Sequence, residues 1–210
     1  MTVEEYLQAS RGKRILYRIA RNPVVMFIIA PSLLFLIRHR FSNSKAGERE
    51  RRSVHWTNLG VLVMGTIMSL IFGFRAYVLL QVGVTMVAGA VGVWLFYVQH
   101  QFEGVYWARK DGWDYATAAL EGSSFYKLPK VLQWFSGNIG FHHIHHLSPR
   151  IPNYNLERCH KSEPLFQRVP AVTLFGSLRS FTFRLWDEQR QRLVGYSYLR
   201  TLRAQQRQAS

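Results

Sequence analysis

Two apolar runs dominate the hydrophobic pattern of the chain. Trp56 to Phe74 contains no ionisable side chain, and Ala76 to Val98 adds 23 residues whose only clearly polar members are Gln81 and Thr85. At about 1.5 Å rise per residue the second run is roughly 34 Å long as a helix, enough for a bilayer core of about 30 Å. The first is shorter, about 28 Å by the same rise, and opens on the semi-polar Thr57 and Asn58. One such run alone fits a buried core helix. Two runs joined only by Arg75 predict a transmembrane hairpin over 56–98. A third apolar stretch, Pro23 to Ile37, has 15 residues and is interrupted by Pro31, which predicts a re-entrant or interfacial segment.

Polar positions frame these runs. Over 3–21, Tyr6-Leu7, Ile15-Leu16 and Ile19-Ala20 alternate with Arg and Lys, predicting a basic surface helix. Beyond the hairpin lies a polar, aromatic-rich region. Its pattern predicts a helix at 113–121, a loop near Lys127-Leu128-Pro129, a helix over about 130–146 and a Pro-containing loop at Ser148–Asn155. The Arg- and Gln-rich tail 183–210 reads as a surface helix. The resulting division is 1–55, an amphipathic or re-entrant segment with a basic connector; 56–98, the hairpin; and 99–210, a histidine-bearing region with a basic tail. The fold class expected is all-α integral membrane, a transmembrane helical hairpin with a cytoplasmic helical cap carrying the histidine cluster.

Charge changes the picture only through its placement. A net charge of +15 would by itself suggest nucleic acid or an anionic surface. Residues 38–52 hold six Lys/Arg and the segment after Val98 holds fifteen, whereas Arg75 alone lies between the two runs. By the positive-inside rule both outer flanks face the cytoplasm and the hairpin tip faces away. The excess is thus topogenic and lipid-facing, and with no helix-turn-helix, RNP-like or zinc-finger pattern, nucleic acid is not an expected partner. Cys159 is the only cysteine, which excludes an intrachain disulfide and an iron–sulfur cluster held by this chain alone. The N-terminus is acidic, then basic, with no prompt apolar stretch of the kind that makes a cleavable signal peptide.

Half of the eight histidines fall in His142-His143-Ile144-His145-His146. In a helix, positions i, i+3 and i+4 share a face, so His142, His145 and His146 are expected to converge, and neutral imidazole is a ligand for iron among other metals. Adjacent helical residues also diverge by about 100°, so the pair His145-His146 suits two metals better than one. His143 points off that face and is expected to support the others. His100 closes the second run; alone it fits an interfacial anchor, and the downstream imidazoles make it a candidate ligand. If the helix continues, Glu103 and Trp107 share its face, and Glu103 is expected to assist the site. Asn138, one turn before His142, either holds a metal-bound water or orients an imidazole. His39, His55 and His160 read as basic-flank or surface residues.

The segments FYVQHQFEGVYW (96–107) and LEGSSFYKLPKVLQWFSGNIGFHHIHHLSPRIPNYNLERCH (120–160), with the hairpin between basic flanks, resemble the membrane-bound fatty acid desaturases, most closely the Δ12/ω-6 acyl-lipid type. HHIHH contains that family's third histidine box, H-x-x-H-H, as His142, His145 and His146, and His100 falls where the family places a separate histidine ligand. The resemblance implies a non-haem di-iron oxygenase that uses O2 and two electrons from a separate ferredoxin or cytochrome b5-type donor to desaturate a lipid acyl chain. It also implies two earlier boxes, H-x-x-x-H and H-x-x-H-H, and only His39 and His55 precede His100 here. The expectation is therefore a chain corresponding to the C-terminal portion of a desaturase, supplying part of the ligands for two Fe ions and inactive alone. Its alternatives are a non-catalytic membrane remnant and a related acyl hydroxylase.

Overall fold

The structure is a computed structural model that describes residues 1–208, mostly helical, and its chain divides into two compact units. One unit is Arg18–Trp94; the other comprises Met1–Tyr17 and Leu95 onward.

The chain opens with α1 (Val3–Gln8), started by a reciprocal cap: Thr2 Oγ1 accepts from Glu5 N at 3.1 Å while Thr2 N donates to the Glu5 carboxylate at 2.9 Å. Helix α2 is Arg11–Ala20. The single surface helix expected over 3–21 is thus two helices, because Ala9 takes an extended conformation, and α1 buries Val3 and Tyr6.

The stretch containing Pro31 is helical but irregular. A π-helical turn at Val25–Ile29 leads into α3 (Ala30–Leu36), with Pro31 in its first turn. Proline lacks the N–H that would continue a regular ladder, and a wider turn absorbs the defect. Then come α4 (Glu48–Phe72) and α5 (Phe74–His100), both long and apolar enough to cross a membrane. They are separated by Gly73 at φ +84°, a left-handed conformation that glycine adopts without a Cβ penalty. The break therefore falls two residues before Arg75, which lies in the first turn of α5. Part of the basic connector belongs to α4, whose first residues are Glu48 to Arg52.

The other unit is built from short elements: α6 (Tyr115–Leu120), β1 (Phe125–Lys127), α7 (Lys130–Phe135), α8 (His142–Leu147), α9 (Leu156–Ser162), α10 (Pro164–Gln167), β2 (Ala171–Thr173), β3 (Leu185–Asp187), β4 (Arg192–Val194) and α11 (Tyr198–Gln208). Strands β1 and β2 pair in parallel, Tyr126 opposite Val172, and β3 and β4 form an antiparallel hairpin with Trp186 opposite Leu193. Val3, Tyr6, Leu185, Val194 and Leu199 form one buried cluster, joining α1 to the hairpin and α11. A second joins Phe141 and Ile144 to Leu156.

Two expectations need correction. The tail expected as one surface helix is a β-hairpin followed by α11, since Leu185 and Trp186 are buried and pair with the strand returning at Arg192; its last two residues lie outside the described ones. The helix expected over 130–146 is broken between α7 and α8 by Gly137 (φ +62°) and Asn138 (φ +58°), two consecutive left-handed residues, followed by a 3-10 turn at Ile139–Phe141.

Candidate metal centre

Helical spacing brings two imidazoles together. His142 and His146 stand one turn apart on α8, and their Nε2 atoms are 3.0 Å apart. The third comes from α5: His100 Nε2 lies 3.0 Å from that of His142 and 3.2 Å from that of His146.

Specific contacts hold His100 and the helix that carries the other two. His100 Nδ1 is 3.0 Å from the Gly122 carbonyl oxygen. A carbonyl only accepts, so Nδ1 carries the proton and Nε2 presents its lone pair to the cluster. The same strand of chain is tied back to α5 by Ser124 N donating to Gln99 O at 3.0 Å. On α6, the Tyr115 hydroxyl donates to the His146 carbonyl at 2.6 Å, satisfying one of the acceptors that a helix C-terminus leaves free. The rotation of α8 is set by its apolar back, where Ile144 is fully buried against Phe141 and Leu156.

Protons alone cannot satisfy this arrangement. His100 Nε2 has none to give, so three mutually adjacent nitrogens share at most two donors. A cation at their centre satisfies all three. Imidazole nitrogens about 2.0–2.1 Å from a shared ion would stand about 2.9 Å apart at right angles and about 3.3 Å apart in a tetrahedron, and the 3.0–3.2 Å seen falls between. His100, His142 and His146 are the metal-suited group of His, Cys, Asp and Glu among the described residues, with all three ligand atoms within 4.8 Å. Burial first, then repulsion by His146, His100, His145 and His143, pushes His142 down to about 3. Burial likewise lowers His146, followed by repulsion from His100 and His145. Both are neutral at pH 7, the form that binds metal.

The remaining predicted residues separate clearly. His145 is half-buried; its ring stacks on His142 at 5.8 Å and lies 6.2 Å from the ring of His146, beside the triad rather than in it. His143 is fully buried and faces away, its Nε2 3.1 Å from Nδ1 of His160. Burial, with repulsion from His160 next, pushes His143 to about 3. His160 is thus not a free surface residue: its ring packs on Phe125 and Phe141 at 4.9 and 5.2 Å. It was missed because no local pattern links α9 to α8.

Asn138 does not share a helical face with His142, because the chain reverses at that residue; its side-chain amide donates to the Asn153 carbonyl at 3.1 Å. Glu103 also departs from expectation. Helix α5 ends at His100 and the chain turns at Gly104 (φ +81°), so Glu103 pairs with Arg179 at 3.2 Å in an exposed position. Trp107 remains near: with Trp113, Tyr115 and Ala118 it lines a hollow of about 390 Å³ beside His100 and His146.

Membrane-length helices and three neutral imidazoles aimed at one point define a candidate membrane metalloprotein. Sequence comparison then supplies the family. A fatty acid desaturase family model matches residues 6–174, and the chain belongs to that family. It is 48% identical to a fatty acid desaturase of Bacillus subtilis (strain 168) over 196 residues, covering 93% of this chain and 56% of that protein. Chloroplastic omega-6 fatty acid desaturases from Glycine max and Arabidopsis thaliana are 37% and 35% identical over 65 residues, 31% of this chain and 15% and 14% of theirs. The chain thus spans about half the length of the bacterial relative and a smaller part of the plant ones.

Proposed function

We propose that this chain carries part of the iron-binding ligand set of an acyl-lipid desaturase, with His100, His142 and His146 holding one iron and His145 directed to a second. The observation that carries the reading is the triad of Nε2 atoms at 3.0–3.2 Å. When bound, the metal pair supplies the oxidising chemistry, in which O2 becomes two waters with two electrons from the acyl chain and two from an external donor.

The chain's own residues prepare that chemistry. The Gly122 carbonyl keeps the His100 proton on Nδ1, so Nε2 stays available. Tyr115 holds the end of α8, and with it His146. The hollow beside the triad is walled mainly by Trp107, Trp113, Tyr115 and Ala118, surfaces suited to acyl methylenes and to excluding water. By the charge asymmetry of the flanks, the cluster lies on the cytoplasmic side, where a separate ferredoxin or cytochrome b5-type donor reaches it.

Four imidazoles are too few to hold two irons with histidine alone. Residues 1–210 expressed in membranes are expected to bind about one iron per chain and to form no new double bonds. Two irons per chain together with new dienoic acyl products would overturn that expectation. An absence of metal from carefully prepared protein would overturn the site itself.

A further inference from the structure

A second concavity lies wholly within the unit Arg18–Trp94. It measures about 750 Å³, within the range of small-molecule sites, and is bordered by α3, α4 and α5. Its walls are mainly apolar, with Phe35, Leu36, Val61, Met64 and Val84 among them, and Gln81 and Thr85 add polar positions on α5. Two glycines shape it in different ways. A Cβ on Gly60 would meet nothing within 4 Å, whereas Gly89 admits the close approach of Pro31 and Phe35. No imidazole borders the groove, so its occupant is independent of the iron reading.

What the groove would hold is indicated by its charged border. Arg40 lines it, and Arg40 Nε is buried without a hydrogen-bond partner. The Arg40 backbone is fixed, since its carbonyl accepts from Asn58 Nδ2 at 2.8 Å. Around it in sequence, residues 38–52 carry six Lys/Arg against two Glu. A half-buried guanidinium at the border of an apolar trough, within a segment of net positive charge, is complementary to an anion that carries a long hydrocarbon. Helix α4 adds that it buries no residue of its own, so hydrocarbon is the natural neighbour of its walls.

We propose that this groove binds one anionic glycerophospholipid, an acyl chain lying between α3, α4 and α5 and the phosphate accepting from Arg40. The lipid is a resident of the fold, distinct from any acyl chain presented to the histidines.

The test uses the full 210-residue chain in detergent, delipidated and titrated with phosphatidylglycerol or phosphatidylcholine of identical acyl chains, with bound lipid read by native mass spectrometry. Phosphatidylglycerol is expected to be retained about tenfold more tightly, because both lipids offer Arg40 a phosphodiester but only phosphatidylcholine sets a fixed cation beside that guanidinium and its basic flank. Arg40→Gln should bring the two lipids to parity without changing helical content. Gly60→Leu, which fills open space and favours helix, should weaken both. Equal retention of the two lipids by the unaltered chain would overturn the proposal. So would displacement of the lipid by glycerol phosphate at equal concentration, undiminished binding in Gly60→Leu, or a groove covered by a second copy that excludes lipid.

Discussion

Helices α4 and α8 use sequence in opposite ways. The first runs 25 residues and buries none of them. The second runs six residues and buries His142, His143 and Ile144. A long apolar helix is specified by composition and by the solvent it enters, so its individual positions are nearly interchangeable. A single-turn helix has no stability of its own and depends on the groups that grip it. For α8 these are Tyr115, the Phe141 and Leu156 side chains packed on Ile144, and His100 and His160, which together fix where its imidazoles point. Plasticity in one region and exactness in the other divide the work of this chain.

Substitutions test that division. Replacing His142 with Ala should lower metal affinity at least about 100-fold, beyond the range for residues that only support a ligand, while His55→Ala should leave it unchanged. Isothermal titration with Fe(II) or Co(II) separates the two. Acid should distinguish the regions next. His143 has a pKa of about 3 in the fold and about 6.5 when unfolded, so the unfolded chain binds the proton that the fold refuses. Stability of the histidine-bearing unit is therefore complete above pH 6.5 and falls as pH drops toward 3. The slope is about 1.4 kcal/mol per pH unit for one such group, read from thermal midpoints of metal-free protein. A pH-independent midpoint over this window would contradict the burial assigned to His143.

Glycine positions sharpen the contrast. A Cβ at Gly140 would collide with the Tyr126 carbonyl oxygen and sit 2.6 Å from the Gln133 amide, so Gly140→Ala should cost about 1–3 kcal/mol. Gly60→Ala on α4, with open space around it, should be neutral or stabilising by up to about 1 kcal/mol. Between those two in size, His160→Ala should cost about 1–2 kcal/mol by leaving His143 Nε2 unpaired, with partial recovery in His160→Gln. At the low end, Arg179→Ala breaks only an exposed pair with Glu103 and should change neither the unfolding midpoint nor metal binding.

Legibility in the sequence follows the same line. The two long helices and the shared face of His142 and His146 could be read from hydropathy and from i, i+4 spacing, because both are local regularities; His100, 42 residues before His142, was expected there only through the downstream imidazoles and the family resemblance. The break before α8 was also written there, in Gly137-Asn138, two residue types that tolerate the left-handed region, but helical periodicity around them masked it. Glu103 was misplaced by extending a helix through Gly104. The β3–β4 hairpin was hidden because its Arg and Gln content resembled a solvated helix while Leu185 and Trp186 were buried. The pairing of His160 with His143 has no local signature, since only the packing of α9 on α8 creates it.

X-ray absorption at the iron edge of the loaded 210-residue chain tests the imidazole triad most directly. The account predicts one iron per chain with about three imidazole nitrogens at close to 2.0–2.2 Å, the scattering collapsing when His100, His142 or His146 is replaced by alanine. An iron environment of oxygen ligands alone, or one indifferent to all three substitutions, would contradict it.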